Sequence, residues 1–253
     1  MTEFTEANRN YFDQMAATYQ SKFADSMKIL SNQTLKHRLW LGDRWTDTEA
    51  GRGQEIKMLE YACGPGVIST TLAPFLTKVV GIDVSEKMVN EFNRNSSAIG
   101  LSNKMIGYKA DLLAEPAPAE FSGPEFTDFD LVVVSMALHH FEHPDMALQR
   151  LATRLKKGGA FLIIDLVPHS GHDHENDHGH GHSHGHGKPG HDFGEAAHTV
   201  KTHGFSQQDM ENLFQDAGLD TQFKYEVIPE ELVFKTEEKT HRKTVFIARA
   251  QRT

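Results

Sequence analysis

Five strand-like runs, each followed by a segment compatible with a helix or loop, constrain this chain more than any other feature. They read "IKMLEYA", "KVVGIDVS", "MIGYKADLL", "FDLVVVSM" and "AFLIIDLV". Short apolar runs bounded by turn signals are strands covered on both faces, which is the habit of parallel sheets. Parallel strands need crossover connections, and helices supply them. The connections fit. "EKMVNEFNRNSSAIG" predicts a helix with Ser85 as N-cap and Gly100 at its stop, and "PDMALQRLATRLKKGG" predicts an amphipathic helix closed by Gly158 and Gly159. With 253 residues and 38% hydrophobic content the chain can fill the core of one such domain. The expected fold class is α/β, a Rossmann-like doubly wound sheet with helices on both faces.

The flanks extend this pattern. Tyr11, Met15, Tyr19 and Phe23 recur at spacing four and predict a helix over about 7–22, with a second helix over about 26–44. Residues 114–128 carry three prolines and a glycine and predict a loop. Beyond the fifth strand, "SQQDMENLFQDAGL" predicts a helix with Ser206 as N-cap and Gly218 as stop. Strands over about 222–228 and 243–250 follow. Between them, the charge-rich "KTEEKTHRKT" predicts a solvated connection and a strand edge.

Charge and composition exclude several function classes. A net charge of −9 with no clustered basic run argues against nucleic acid as partner. No stretch approaches the roughly 20 apolar residues of a membrane span. The N-terminus "MTEFTEANRN" is acidic and lacks an apolar signal core, so the expected location is the cytoplasm, with the nucleus also compatible. Cys63 is the sole cysteine, which rules out an internal disulfide and reads as a small filler in a turn.

Open α/β sheets bind ligands at the carboxyl ends of their strands, so the loops there are the ones that matter. "EYACGPG" follows the first strand, and Gly64 and Gly66 let the backbone approach a ligand. Asp83 ends the second strand, nineteen residues beyond Gly64, where a carboxylate can accept hydrogen bonds from ribose hydroxyls. Asp111 ends the third, and the fourth runs into "SMALHHF". Together these outline a nucleoside-binding cleft. A nicotinamide dehydrogenase fits worse, because Gly64-Pro65-Gly66-Val67-Ile68 lacks the G-x-G-x-x-G order.

On these motifs the chain resembles the class I S-adenosylmethionine (SAM)-dependent methyltransferases, most closely their small-molecule branch. The resemblance covers about residues 55–165 through "LEYACGPG", "GIDVS", "KADLL", "LVVVSMALHHF" and "LKKGGAFLIID", and about 205–250 through "HGFSQQDMENLFQDAGL" and two strands. It implies one domain with a seven-stranded sheet, mainly parallel, ending in an antiparallel strand pair. Its parts would be a helical lid over 1–45, a SAM-binding core over 55–166 and a C-terminal helix and strand pair over 205–250. It implies SAM as cofactor, held by Glu60, Ala62, Gly64 and Gly66 in the first turn, Asp83 and Val84 in the second, Asp111 and Leu112 in the third, and Ser135 in the fourth. Phe12, Met15 and Tyr19 of "YFDQMAATY" would close over it, although an aromatic stripe at this spacing also suits a core. Ala62 stands where the family usually has glycine; alanine is tolerated there at negative φ.

The implied reaction moves a methyl group from SAM to an O, N, S or C nucleophile of a small organic acceptor. A protein methyltransferase, or a metal-binding or metal-sensing protein on the same scaffold, is the alternative. Where the nucleophile needs a base, His139 and His140 are the candidates, because they follow the fourth strand and imidazole titrates near neutrality. The acceptor itself and the oligomeric state have no signature in the sequence.

One segment lies outside this scheme. "HSGHDHENDHGHGHSHGHGKPGH", over 169–191, holds nine of the sixteen histidines. The alternating His178, His180, His182, His184 and His186 can chelate Zn²⁺, Ni²⁺ or Cu²⁺. The tract has no apolar face to bury, so it is expected to be a flexible insertion with an accessory metal capacity.

Overall fold

The computed structural model describes residues 1–168, 194–235 and 240–253; the histidine-rich insertion and its five candidate ligands therefore lie outside the described residues. The chain opens on α1 (Glu3–Lys22), whose N-cap Thr2 accepts the Thr5 N–H on its side chain. The expected helix over 26–44 is instead two, α2 (Ala24–Lys36) and α3 (Arg38–Leu41). His37 divides them. Its buried ring sits 2.7 Å from the Gln33 carbonyl through Nδ1 and 3.2 Å from Glu226 through Nε2, a tertiary contact that a sequence window does not contain.

The sheet follows as β1 (Lys57–Tyr61), α4 (Val67–Leu72), β2 (Lys78–Asp83), α5 (Glu86–Ala98), β3 (Met105–Lys109), β4 (Phe129–Ser135), α6 (Pro144–Ala152), β5 (Leu155–Leu166), α7 (Gln207–Asp216), β6 (Thr221–Val227), β7 (Leu232–Lys235), β8 (Thr240–Lys243) and β9 (Val245–Gln251). The helix caps at Ser85 and Ser206 form as expected, the latter as a capping box with Asp209. Seven strands make one sheet in the order β3-β2-β1-β4-β5-β9-β6, with β9 antiparallel to both neighbours. The order reverses between β1 and β4, which places the ligand crevice at their carboxyl ends. Alternate strand residues feed two cores. Leu59, Val132 and Phe161 pack with α6 and α7 on one face, and Met58, Val133 and Leu162 pack with α2, α4 and α5 on the other.

Two expected boundaries change. The helix over "PDMALQRLATRLKKGG" ends at Ala152, and "LKKGG" opens β5. Leu155 pairs with Phe129, and the register slips before Ala160 meets Leu131. The glycines serve that irregularity. Gly158 has φ 74° and donates to the Arg252 carbonyl at 2.7 Å, while a Cβ on Gly159 would lie 2.8 Å from the Phe129 oxygen. The polar connection before β9 likewise contains structure: β7 and β8 pair as a separate two-stranded sheet.

Candidate active site

Three residues in the turn after β1 have positive φ: Ala62 at 53°, Gly64 at 50° and Gly66 at 83°. Ala62 therefore takes a left-handed conformation that favours glycine, correcting the negative φ expected of an alanine, at a cost of about 1–2 kcal/mol. The Cys63 N–H, donating to the Ile82 carbonyl at 3.2 Å, helps fix this turn against β2. The two glycines differ in purpose. A Cβ on Gly64 would meet nothing within 4 Å, because Gly64 borders a cavity, whereas one on Gly66 would lie 2.6 Å from Phe92 in α5.

That cavity has a volume of about 580 Å³ and opens over the carboxyl ends of β1 to β4. Of the residues expected to hold the cofactor, Glu60, Ala62, Gly64, Asp83, Val84, Asp111, Ser135 and Tyr19 line it. Gly66 and Leu112 do not; Gly66 packs on α5 and Leu112 is buried in the core.

On the side of the cavity over β1 to β3, the carboxylates are held by backbone. Asp83 accepts the Gly64 N–H at 2.9 Å on one oxygen and the Ser85 N–H at 2.8 Å on the other. Burial outweighs those bonds and pushes its pKa up to about 6. Glu60 accepts the Ser69 N–H at 2.9 Å, at the first turn of α4, and burial pushes it up to about 7. Asp111 accepts the Leu113 N–H at 3.0 Å and the Tyr61 hydroxyl at 3.3 Å. Tyr19 reaches in from α1, its phenol pushed up to about 12 by burial and then by the charge of Asp83.

The other half is built across the chain. His140 lines it, and its Nδ1 lies 2.7 Å from the Thr199 carbonyl. A carbonyl only accepts, so Nδ1 carries the proton and Nε2 keeps a lone pair. Burial, and then the neighbouring His139, hold this imidazole well below the ordinary histidine value, which corrects the expected titration near neutrality. His139 is not among the residues lining the cavity. It is buried, with Nδ1 2.7 Å from the fully buried Asp165, and its ring lies 4.1 Å from that of His140, tilted by 40°. The Phe12 ring meets His140 edge-on at 5.2 Å, so α1 closes this side of the cavity.

Sequence reasoning missed three residues. Asp13 in α1 accepts the Ser85 hydroxyl at 2.6 Å and the Lys87 N–H at 3.1 Å, fastening α1 to the start of α5. Asn8 and Glu142 both line the cavity. No spacing signal marks any of them: Asp13 acts through Ser85 and Lys87, remote in the chain, and Asn8 and Glu142 reach the cavity only through the folding of α1 and of the turn after β4. Among the described residues, no group of three or more His, Cys, Asp or Glu side chains is placed to hold a metal ion, and no helix is long and apolar enough to cross a membrane.

Residues 18–222 match the family model of a methyltransferase domain. The chain belongs to the class I SAM-dependent methyltransferase family. An uncharacterized methyltransferase of Schizosaccharomyces pombe is 32% identical over 165 residues, 65% of this chain and 53% of that one. A ubiquinone biosynthesis O-methyltransferase of Caulobacter vibrioides is 32% identical over 111 residues, 44% of this chain and 41% of the other. The chain thus spans about half the length of these relatives. Magnesium protoporphyrin IX methyltransferase from Synechocystis, solved with bound SAM, superposes with a TM-score of 0.59 at 15% identity, covering 100% of this chain and 99% of that one. At that identity the likeness concerns the methyltransferase fold.

Proposed function

We propose that this methyltransferase binds SAM over β1 to β3 and transfers its methyl group to a nucleophile of a small organic acceptor held beside His140. The whole chain acts as one unit, with α1 as the wall that closes the cleft. The observation that carries this reading is the charge of the cavity. Glu60, Asp83, Asp111, Glu115 and Glu142 line it, and among the described residues no lysine or arginine does. Such a lining favours a cation over a pyrophosphate. The Ser69 N–H at the start of α4, which a dinucleotide phosphate would use in a Rossmann site, is already taken by the Glu60 carboxylate.

The residues fit SAM. Asp83 uses one lone pair per oxygen on backbone N–H groups and keeps others for the hydroxyls of a ribose. When bound, SAM supplies a methyl group already activated by a positively charged sulfonium. The protein's own task is alignment, exclusion of water and removal of a proton from a hydroxyl or amine nucleophile. His140 is placed for that last step, neutral and with Nε2 free of its proton. His139 and Asp165 hold the turn that carries it. The volume suits a small molecule, as do the names of the ubiquinone and magnesium protoporphyrin relatives.

Calorimetric titration with SAM and with NAD tests the reading. Micromolar SAM binding is expected. NAD binding in that range, or no binding of SAM, would overturn it.

A further inference from the structure

The acceptor half of the cavity carries hydrogen-bond acceptors that the protein leaves unanswered. Glu142 follows the histidine pair; its carboxylate makes no hydrogen bond or ion pair among the described residues, and its Oε2 is buried. The other acid on this side is different, because Glu115 is paired with Arg150. Asn8 is 7% exposed. Its amide N–H donates to the Phe4 carbonyl at 3.1 Å, which fixes the orientation of the amide and leaves Oδ1 buried without a partner. One helical turn separates Asn8 from Phe12, so both share a face of α1, and Phe12 touches His140. Nε2 of His140 adds a third acceptor. Met1 also borders the cavity and is 56% exposed.

A buried oxygen without a partner is costly, and a half-buried carboxylate without a counter-charge adds to that cost. An acceptor that donates hydrogen bonds and carries positive charge removes both costs on binding. One that carries a carboxylate or phosphate meets Glu142 with like charge and gives Asn8 nothing. Resting on the methyltransferase reading above, we infer that the acceptor is an amine-bearing molecule whose protonated nitrogen is held by Glu142 and Asn8. Glu142 is then the residue that sets specificity. The rings of Phe12 and Phe141, which also line the cavity, offer edges and faces to the body of such a ligand.

Three probes with one phenol body separate the charge from the shape: tyramine, tyrosol and para-hydroxyphenylacetate, ending in an ammonium, a hydroxyl and a carboxylate. Calorimetry on the full chain saturated with SAM should rank tyramine first and para-hydroxyphenylacetate last, with at least about a tenfold spread in Kd. Glu142→Gln keeps the shape of the side chain and should bring tyramine down to the level of tyrosol. Glu142→Lys should invert the order. Equal binding of the three probes, a preference for the acid, no binding of any of them at millimolar concentration, or an order unchanged in Glu142→Gln would overturn the inference. The SAM titration reads separately. A chain that fails to bind SAM removes the cofactor reading, whereas one that binds SAM without preferring tyramine removes only this inference.

Discussion

The two halves of the cavity are held in different ways. In the cofactor half each carboxylate is met by the backbone of a nearby turn: Asp83 by Gly64 and Ser85, Glu60 by Ser69, Asp111 by Leu113. In the acceptor half the contacts join remote segments, His140 to Thr199 and His139 to Asp165, and Asn8 and Glu142 keep an oxygen each without a partner. Ser85 and Leu113 lie two residues beyond the carboxylates they meet, Ser69 lies nine beyond Glu60, and Gly64 meets Asp83 across one β-α-β step, so backbone N–H groups orient the acids of the first half before a ligand binds. The second half has unmet acceptors, which the proposed amine-bearing acceptor would complete.

Mutations that affect one half and spare the other test this contrast. The largest effect is expected from His140→Ala, which should lower turnover on a hydroxyl or amine acceptor about 10²- to 10⁴-fold with SAM affinity retained. Because this imidazole is held well below the ordinary histidine value, kcat should stay flat as pH falls through that value and drop only further down. A kcat limb near pH 6.5, or full turnover in the mutant, would remove the base from His140.

Next in size is Asp83→Ala, which removes a charged acceptor from the cofactor half. SAM affinity should fall roughly 10- to 150-fold, from a loss of about 1.5–3 kcal/mol, while acceptor binding measured without SAM is unchanged. In the unaltered chain SAM affinity should rise with pH as Asp83 ionises near 6 and Glu60 near 7, since the anionic forms favour a sulfonium. A Kd that does not respond to the mutation or to pH would break the proposed division.

Asp13→Ala probes the link between the halves. Loss of its two hydrogen bonds should weaken α1 docking by about 1 kcal/mol, roughly a fivefold change. Hydrogen exchange should rise across residues 3–22 and stay low in β1 and β4. Equal protection in both proteins would mean that α1 is held by its apolar contacts alone.

An effect of similar size, opposite in sign, is expected from Glu60→Gln. The raised value of Glu60 means that the folded state favours its proton. Its stability contribution is therefore fully present below its ordinary value of 4.5 and is lost as pH rises through that value towards about 7. Glutamine keeps an oxygen for the Ser69 N–H and no charge. At pH 8 the ligand-free mutant should melt about 2–4 °C higher, a gain of about 1 kcal/mol, while binding SAM more weakly. A lower Tm at pH 8 would contradict the burial cost assigned to this carboxylate.

Strand order aside, the sheet and the cofactor half were legible in the sequence because their signals are local. Apolar runs bounded by turns mark β1 to β5, Ser85 and Ser206 mark helix starts, and the nineteen-residue step from Gly64 to Asp83 reflects one β-α-β unit. What the sequence by itself determined is therefore the set of elements and the acids at their ends, since hydrophobic periodicity and turn chemistry act within a few residues. Only the tertiary structure decided that α2 stops at His37, that "LKKGG" is strand rather than helix, that Gly66 packs on Phe92, and that Asn8, Asp13 and Glu142 belong at the cavity. The first three and Asp13 depend on a partner far along the chain, Glu226, Phe129, Phe92 or Ser85, and Asn8 and Glu142 reach the cavity through the packing of α1 and the turn after β4. Contacts of that kind leave no periodicity in the sequence, because the fold alone sets their spacing.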